Sequence, residues 1–179
     1  MSCDSRTVAV DALCLPDLPA ALAIQAEAYP PFLREGERAF ASRIALSASY
    51  CLAARRDGQL LGYLLAHGWR RQSPPAVGAI LGDGGPSEVL FLHDLSVSAA
   101  GRGLAIGRQL VERAFALAAQ DGLRTAELIA VEGAAGYWSK LGFLEEPVSR
   151  ELAEKVRGYG ETACWMTRAI GEGGAGSGG

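Results

Sequence analysis

Soft metal ligands and disulfide partners are scarce in this chain: it has two histidines, His67 and His93, and four cysteines among 179 residues. Cys3, Cys14, Cys51 and Cys164 are scattered without a CxxC pair, so neither a zinc site nor a disulfide framework is expected. Unpaired cysteines of this kind suit a reducing compartment. No apolar stretch approaches the ~18 residues that a bilayer span requires, and Met1 to Arg6 shows no secretion-signal pattern. The expected location is therefore the cytoplasm, with no membrane partner. Positive charge is not in excess either, since 17 Lys and Arg stand against 20 Asp and Glu, a net charge of −3. A nucleic-acid partner would call for a basic surface, and none is implied. The tract Gly82-Asp83-Gly84-Gly85 lacks the Gly-Lys-Ser/Thr ending of a phosphate loop.

What is present is enough for one folded unit. Hydrophobic residues make up 49%, near the globular average of about 45–50%, and the length suits a single α/β domain over residues 1–170. Thr7 to Ala12 reads as a strand. Asp17 is placed to cap a helix with Leu18, Leu22, Gln25, Ala26 and Tyr29 on one face, which Pro30-Pro31 ends. A second helix is expected from Glu37 to about Leu46. Tyr50 to Arg55 and Leu60 to His67 form a hairpin around Asp57-Gly58. Trp69 to Ser87 shows no element and exceeds the usual loop length, which favours a binding loop or a disordered one. Glu88 to Val97 is a long apolar strand. A turn at Ala99 to Gly103 feeds a helix with Ile106, Leu110, Ala114 and Leu117 on one stripe, stopped at Asp121-Gly122. Glu127 to Val131 is a strand, Ala134 to Lys140 a short helix, Arg150 to Val156 another, and Thr162 to Ile170 a last strand. Residues 171–179 are almost all glycine and are expected to be disordered. This order gives a mixed sheet with helices on both faces.

The chemistry concentrates in Leu92-His93-Asp94-Leu95-Ser96-Val97, followed by Arg102-Gly103-Leu104-Ala105-Ile106-Gly107. A strand runs into a turn and then into a helix whose first turn is built of small residues. Such a helix start presents unpaired N–H groups and partial positive charge, which suits a pyrophosphate. By itself this pattern fits close packing of helix on sheet equally well.

The surrounding residues resemble those of the GNAT acetyltransferases. Leu95 and Val97 match the strand end of their motif A, Arg102 its Q/R, and Gly107 its last small residue, with Ala105 in place of the middle Gly. Tyr137-Trp138-Ser139-Lys140-Leu141-Gly142-Phe143 resembles motif B. The resemblance implies a mostly antiparallel sheet with a V-shaped splay between the fourth and fifth strands and a β-bulge in the strand ending at Val97. It implies acetyl-CoA as co-substrate. The pantetheine arm would lie against Leu95, Ser96 and Val97, and the pyrophosphate on Gly103, Leu104, Ala105, Ile106 and Gly107 beside Arg102. Trp138 would pack against the arm, and Lys140 would be a further cofactor contact. A freed N–H near Leu95 would face the tetrahedral oxyanion.

The implied activity is acetyl transfer to a primary amine, which must first lose its proton. His93 is the candidate base, expected in phase with Leu95 and Val97, with Asp94 on the opposite face and Glu88 in reserve. Within the superfamily, the strand is most similar to the arylalkylamine (serotonin) N-acetyltransferases, where two histidines relay protons. His93 matches the second and Phe91 stands at the first, so His67 is the one candidate to replace it. The general acid is unassigned, because Trp138 stands where the family has Tyr; Tyr63 and Tyr159 are alternatives, and Tyr137 is expected to point elsewhere. Tyr29 and Trp69 are the expected walls for the acceptor. A small-molecule amine is the leading acceptor, with a protein N-terminus or lysine as the alternative. A CoA-binding module without turnover is the reading from another class. A monomer or a homodimer fits equally.

Overall fold

The computed structural model describes residues 7–171; Cys3 and the glycine-rich tail beyond Gly171 lie outside them. Among the described residues, seven strands form one sheet: β1 (Ala9–Ala12), β2 (Leu52–Arg56), β3 (Gln59–Trp69), β4 (Val89–Val97), β5 (Thr125–Ala130), β6 (Leu144–Glu145) and β7 (Cys164–Ala169). Their order is β1-β2-β3-β4-β5-β7-β6. β4 and β5 run parallel, and every other neighbouring pair is antiparallel. Five helices cover the sheet: α1 (Leu18–Ala28), α2 (Glu37–Ala45), α3 (Ile106–Gln120), α4 (Ala135–Lys140) and α5 (Arg150–Arg157). α3 buries Leu110, Val111, Ala114 and Phe115 against Leu61, Leu64, Leu90 and Leu92. On the other face, α1 and α2 pack Ile24 and Phe40 on Tyr63 and Leu65. α5 extends that face with Leu152 and Val156 against Phe91 and Ile129.

Local chemistry accounts for most boundaries. Asp57 (φ 52°) and Gly58 (φ 76°) both take the left-handed conformation that a two-residue hairpin turn needs. Gly122 (φ 89°) ends α3, and the Leu123 N–H returns to the Ala118 carbonyl at 3.0 Å, satisfying an orphan carbonyl. Ser149 caps α5 by accepting from the Leu152 N–H at 3.1 Å.

Three expectations need correction. Asp17 does not cap α1: its carboxylate accepts from the Cys14 N–H at 2.8 Å and pairs with Arg55 at 2.6 Å, a guanidinium being the stronger partner. The buried face of α1 is Leu18, Ala21, Ile24 and Gln25, with Ala26 exposed; apolar residues lie all round this helix, so pattern alone does not choose a face. α3 starts at Ile106 rather than straight after the Ala99 to Gly103 turn, because Gly103 (φ 79°) and Ala105 (φ 54°) leave the helical region.

The segment from Arg70 to Glu88 has no helix or strand, yet it is tied down. Gln72 N–H donates to Glu127, Gly78 N–H to Glu35 and Leu81 N–H to Ser42, at 3.0, 2.7 and 2.9 Å. Arg43 donates to the Ala79 carbonyl at 2.8 Å. Three of these bonds meet polar groups of α2 and its approach, and the fourth meets Glu127 on β5; buried polar groups without such partners would be costly.

β4 positions the site. Its pairing with β3 runs Leu65 with Asp94 and then Ala66 with Leu92, so His93 is the extra residue of a β-bulge. With β5 it pairs only through Leu90, Phe91 and Leu92. From His93 onward the two strands part, and the expected V opens between the fourth and fifth strands.

Candidate active site

Two adjoining cavities follow from that fork. The first, of about 290 Å³, lies between His93–Val97 on one strand and Ile129 and Val131 on the other, under Tyr29, Leu33 and Tyr159. The second, of about 400 Å³, opens past Val97 at the turn into α3. Arg102, Gly103, Ala105, Ile106 and Gly107, five of the residues expected at the phosphates, line it together with Lys140. The first bond of α3 runs from Gln109 N–H to the Ala105 carbonyl at 3.1 Å. The N–H groups of Ile106, Gly107 and Arg108 therefore precede any intrahelical bond and remain available to an anion. Leu104 stands apart: its side chain packs on the core, and its carbonyl accepts from Gln109 at 2.9 Å.

This shape fits coenzyme A. Leu95, Ser96 and Val97 line the first cavity beyond the last β4–β5 pair, so that edge of the strand offers main-chain groups to an amide-bearing arm. Arginine, lysine and bare amides gather at the far mouth, where a diphosphate would sit. Tyr29, expected as an acceptor wall, lines the first cavity and donates its hydroxyl to the Leu95 carbonyl at 3.2 Å.

His93 lines the same cavity, with its side chain 3% exposed. Its Nε2 lies 2.6 Å from Oε1 of Glu35. Burial depresses the His93 pKa most; Glu35 pulls it upward and Arg43 downward, and it settles below the ordinary value of 6.5. The ring is neutral near pH 7 and able to take a proton.

The bulge also corrects the expected phase. Strict alternation puts Asp94 opposite His93, but the extra residue resets the alternation. Leu95 and Val97 join the α3 core, whereas Asp94 shares the other face with His93 and accepts from Tyr63 and, at 3.0 Å, from Ser96. Burial raises the Asp94 pKa, against the hydrogen bond from Tyr63 and the His93 charge.

The other candidates lie outside the cavity or, like Tyr159 at its wall, have their polar atoms committed elsewhere. Trp69 does not line it; the indole stacks edge-on against His67 at 5.0 Å and donates to the Ser73 carbonyl at 2.9 Å. His67 is fully buried with neither ring nitrogen bonded, so it joins no relay. Burial first, then the His93 and Arg43 charges, push its pKa down to about 3. Glu88 is exposed and accepts from the Arg71 N–H at 3.2 Å. Tyr63 and Tyr159 have their hydroxyls committed to Asp94 and the Pro75 carbonyl.

Motif B is disposed differently from expectation. Trp138 reaches the cavity wall but is only 9% exposed, packed edge-on against Phe143 at 5.4 Å. Tyr137, expected to point elsewhere, is 45% exposed and lines both cavities. α4 is a short helix seated by Trp138, which leaves the preceding residue on the open side.

Glu35 was not among the candidates, and no local signal marks it: it is one acidic residue between two helices, 58 positions from its histidine. Among the described residues no cluster of His, Cys, Asp or Glu could hold a metal, and no helix is long and apolar enough to cross a membrane.

A forked sheet with unpaired amides at a helix start beside the cleft is the arrangement of an α/β domain that would take an acyl-CoA. The family model described as "Acetyltransferase (GNAT) family" matches residues 18–143, and the chain belongs to that family: it is an acetyl-CoA-dependent N-acetyltransferase by fold and family, with acetyl-CoA as co-substrate. No curated protein matches in sequence. Solved structures share the fold. The ribosomal-protein-S18-alanine N-acetyltransferase from Escherichia coli matches with TM-score 0.67 and 20% identity, over 94% of this chain and 97% of that one. The PaiA N-acetyltransferase from Thermoplasma acidophilum, in complex with coenzyme A, matches with TM-score 0.64 and 14% identity over 91% and 99%. N-acetylglutamate synthase from Neisseria gonorrhoeae, complexed with coenzyme A and N-acetyl-glutamate, matches with TM-score 0.72 and 13% identity, over 93% of this chain and 36% of that longer one.

Proposed function

We propose that the protein acetylates a small, largely apolar primary amine by direct attack in a ternary complex, with His93 as general base. The observation that carries this reading is the placement of His93: a neutral, buried imidazole on the bulge where β4 leaves β5. In the proposed step the amine nitrogen attacks the thioester carbonyl and gives its proton to His93. Collapse of the tetrahedral adduct breaks the C–S bond and releases CoA. Tyr137 is the proposed donor to the departing sulfur, since its hydroxyl borders both cavities.

The acceptor class rests on the walls. Tyr29, Leu33, Val77, Ile129 and Val131 give the cleft apolar and aromatic surface beside the polar His93, Asp94 and Glu132, and the tied loop between β3 and β4 bounds it through Val77. About 290 Å³ is at the small end of ligand pockets, which run roughly 300–1,000 Å³; with the acyl arm taking the part along Leu95 to Val97, what is left suits a small molecule better than a peptide. This agrees with the likeness of the β4 sequence to arylalkylamine N-acetyltransferases. Protein N-termini are the competing acceptors, because the structures sharing this fold include a ribosomal-protein acetyltransferase.

Thiol release from acetyl-CoA, measured across arylalkylamines, aliphatic amines and peptides, tests the reading. Turnover is expected with the first two classes and to fall at least tenfold in His93→Ala. Turnover confined to peptides would move the assignment to protein substrates, and CoA binding with no turnover across the panel would make the protein a binding module.

A further inference from the structure

We infer that Glu35 is a positioning residue that holds His93 as its Nε2–H tautomer, leaving Nδ1 as the atom that receives the amine proton. This inference rests on the reading of His93 as the base.

Glu35 is held from both ends. Its main chain is clasped by Gln25, which accepts the Glu35 N–H at 2.9 Å and donates to the Glu35 carbonyl at 3.0 Å. The side chain is 1% exposed. One carboxylate oxygen, Oε1, meets His93 Nε2 at 2.6 Å; the other, Oε2, accepts the Gly78 N–H at 2.7 Å and lies 3.6 Å from Arg43 Nη1. Arg43 is itself fully buried and donates to the Ala39 and Ala79 carbonyls at 2.9 and 2.8 Å. A buried carboxylate is costly unless paired. Burial alone would raise the Glu35 pKa, but the hydrogen bond and charge of His93, the Arg43 charge and the Gly78 amide outweigh it and hold it below the ordinary range.

An ionised carboxylate accepts hydrogen bonds and donates none. The hydrogen in the 2.6 Å contact therefore sits on Nε2, and the lone pair of the neutral ring sits on Nδ1. That nitrogen is buried and has no partner in the protein among the described residues, on a side chain that lines the cleft. The charged and titratable groups influencing this ring are Glu35 and Arg43 from the α1–α2 region, Asp94 on β4 and His67 on β3, with the Tyr159 ring at 6.2 Å. When Nδ1 takes the proton, the imidazolium keeps its Nε2–H and its carboxylate partner. Arg43 keeps Glu35 ionised, so the proton stays on the ring. The loop between β3 and β4 enters the same device, because Gly78 and Ala79 supply an amide to Glu35 and a carbonyl to Arg43.

Nitrogen-15 NMR of histidine-labelled protein tests the inference, since only His67 and His93 contribute signals and a His67 variant assigns them. Near neutral pH, His93 is expected to show a protonated Nε2 and an unprotonated Nδ1. In Glu35→Gln the two tautomers are expected to mix. With an aryl amine that stays unprotonated over the range, kcat is expected to fall by about 10²-fold and the acid limb of the pH profile to move lower. The KM for acetyl-CoA should change by no more than about twofold, because Glu35 lies outside the phosphate-side cavity. Glu35→Asp should recover part of kcat, and Glu35→Ala none of it. A proton on Nδ1 in the parent protein overturns the inference even if no Glu35 variant folds. If His93→Ala is inactive while Glu35→Gln keeps the parental spectrum and pH profile, the base stands and the role of Glu35 falls. If His93→Ala turns over normally, the reading of the base falls and this role with it.

Discussion

The Tyr137 hydroxyl lies against Gly107, so closely that a Cβ added at residue 107 would collide with it. That contact makes one side chain the partition between the acyl cleft and the phosphate-side cavity. Tyr137→Phe keeps the partition and removes the proton. The expected result is a fall in kcat of about tenfold or more with CoA affinity unchanged, measured by steady-state kinetics and calorimetry. Gly107→Val drives the ring out of place and is expected to weaken CoA binding as well. Equal kcat for Tyr137→Phe and the parent would remove Tyr137 as the acid.

Ala105 occupies a position where glycine is at home. The matching motif has Gly there, and the structure shows why: Ala105 has φ +54°. The left-handed conformation costs a non-glycine residue roughly 1–2 kcal/mol, against roughly 0.5–1 kcal/mol of chain entropy that glycine adds to the unfolded state. Strain is the larger of the two. Ala105→Gly is expected to gain up to about 1 kcal/mol in urea unfolding and to leave CoA affinity unchanged. A loss of stability would show that the turn carries no strain at this residue.

Trp138 stands where a catalytic tyrosine was sought, and its surroundings are those of a core residue. It packs edge-on against Phe143 and Tyr137, both at 5.4 Å between ring centroids. Trp138→Ala is expected to cost about 3–5 kcal/mol, read from denaturant midpoints. Trp138→Phe is expected to retain most of the stability and to change kcat by less than about threefold. A kcat that collapses in Trp138→Phe with the fold intact would instead place the indole in the chemistry.

The split between what the sequence reveals and what it hides has a physical basis. The hairpin, the stop of α3 and the turn before α3 were legible because each depends on residues within a few positions of one another, as with Asp57-Gly58 and Asp121-Gly122. The bulge was expected somewhere in β4, yet its position at His93 depends on register against β3. That single inserted residue brings Asp94 to the face assigned to it least readily. Glu35 and Arg43 were invisible for a related reason: their partners are a bulged strand and a loop carbonyl far along the chain. Trp69 looked like an acceptor wall because aromatic residues beside long loops often are, but its indole N–H is spent on Ser73.

His67 makes the fold sensitive to acid. It is fully buried on β3, with Trp69 and Phe91 against its ring and no hydrogen-bond partner at either nitrogen. Burial, then the neighbouring His93 and Arg43 charges, hold its folded pKa at about 3 against an ordinary 6.5. Above the ordinary value both states carry neutral imidazole and the residue has no effect on pH dependence. Between that value and about 3 the unfolded chain takes a proton that the folded chain refuses, so stability falls as pH falls, by at most about 1.4 kcal/mol per pH unit. His93 is depressed in the same direction and contributes part of the same slope. His67→Leu removes the proton site and two unpaired buried nitrogens while keeping an apolar side chain between the rings. Urea unfolding should then give similar stability for variant and parent near pH 7.5, or slightly more for the variant, with the curves diverging in the variant's favour below about pH 6. Parallel curves down to pH 4 would mean that the folded protein protonates His67 as readily as the unfolded chain does, and the ring would have to reach water.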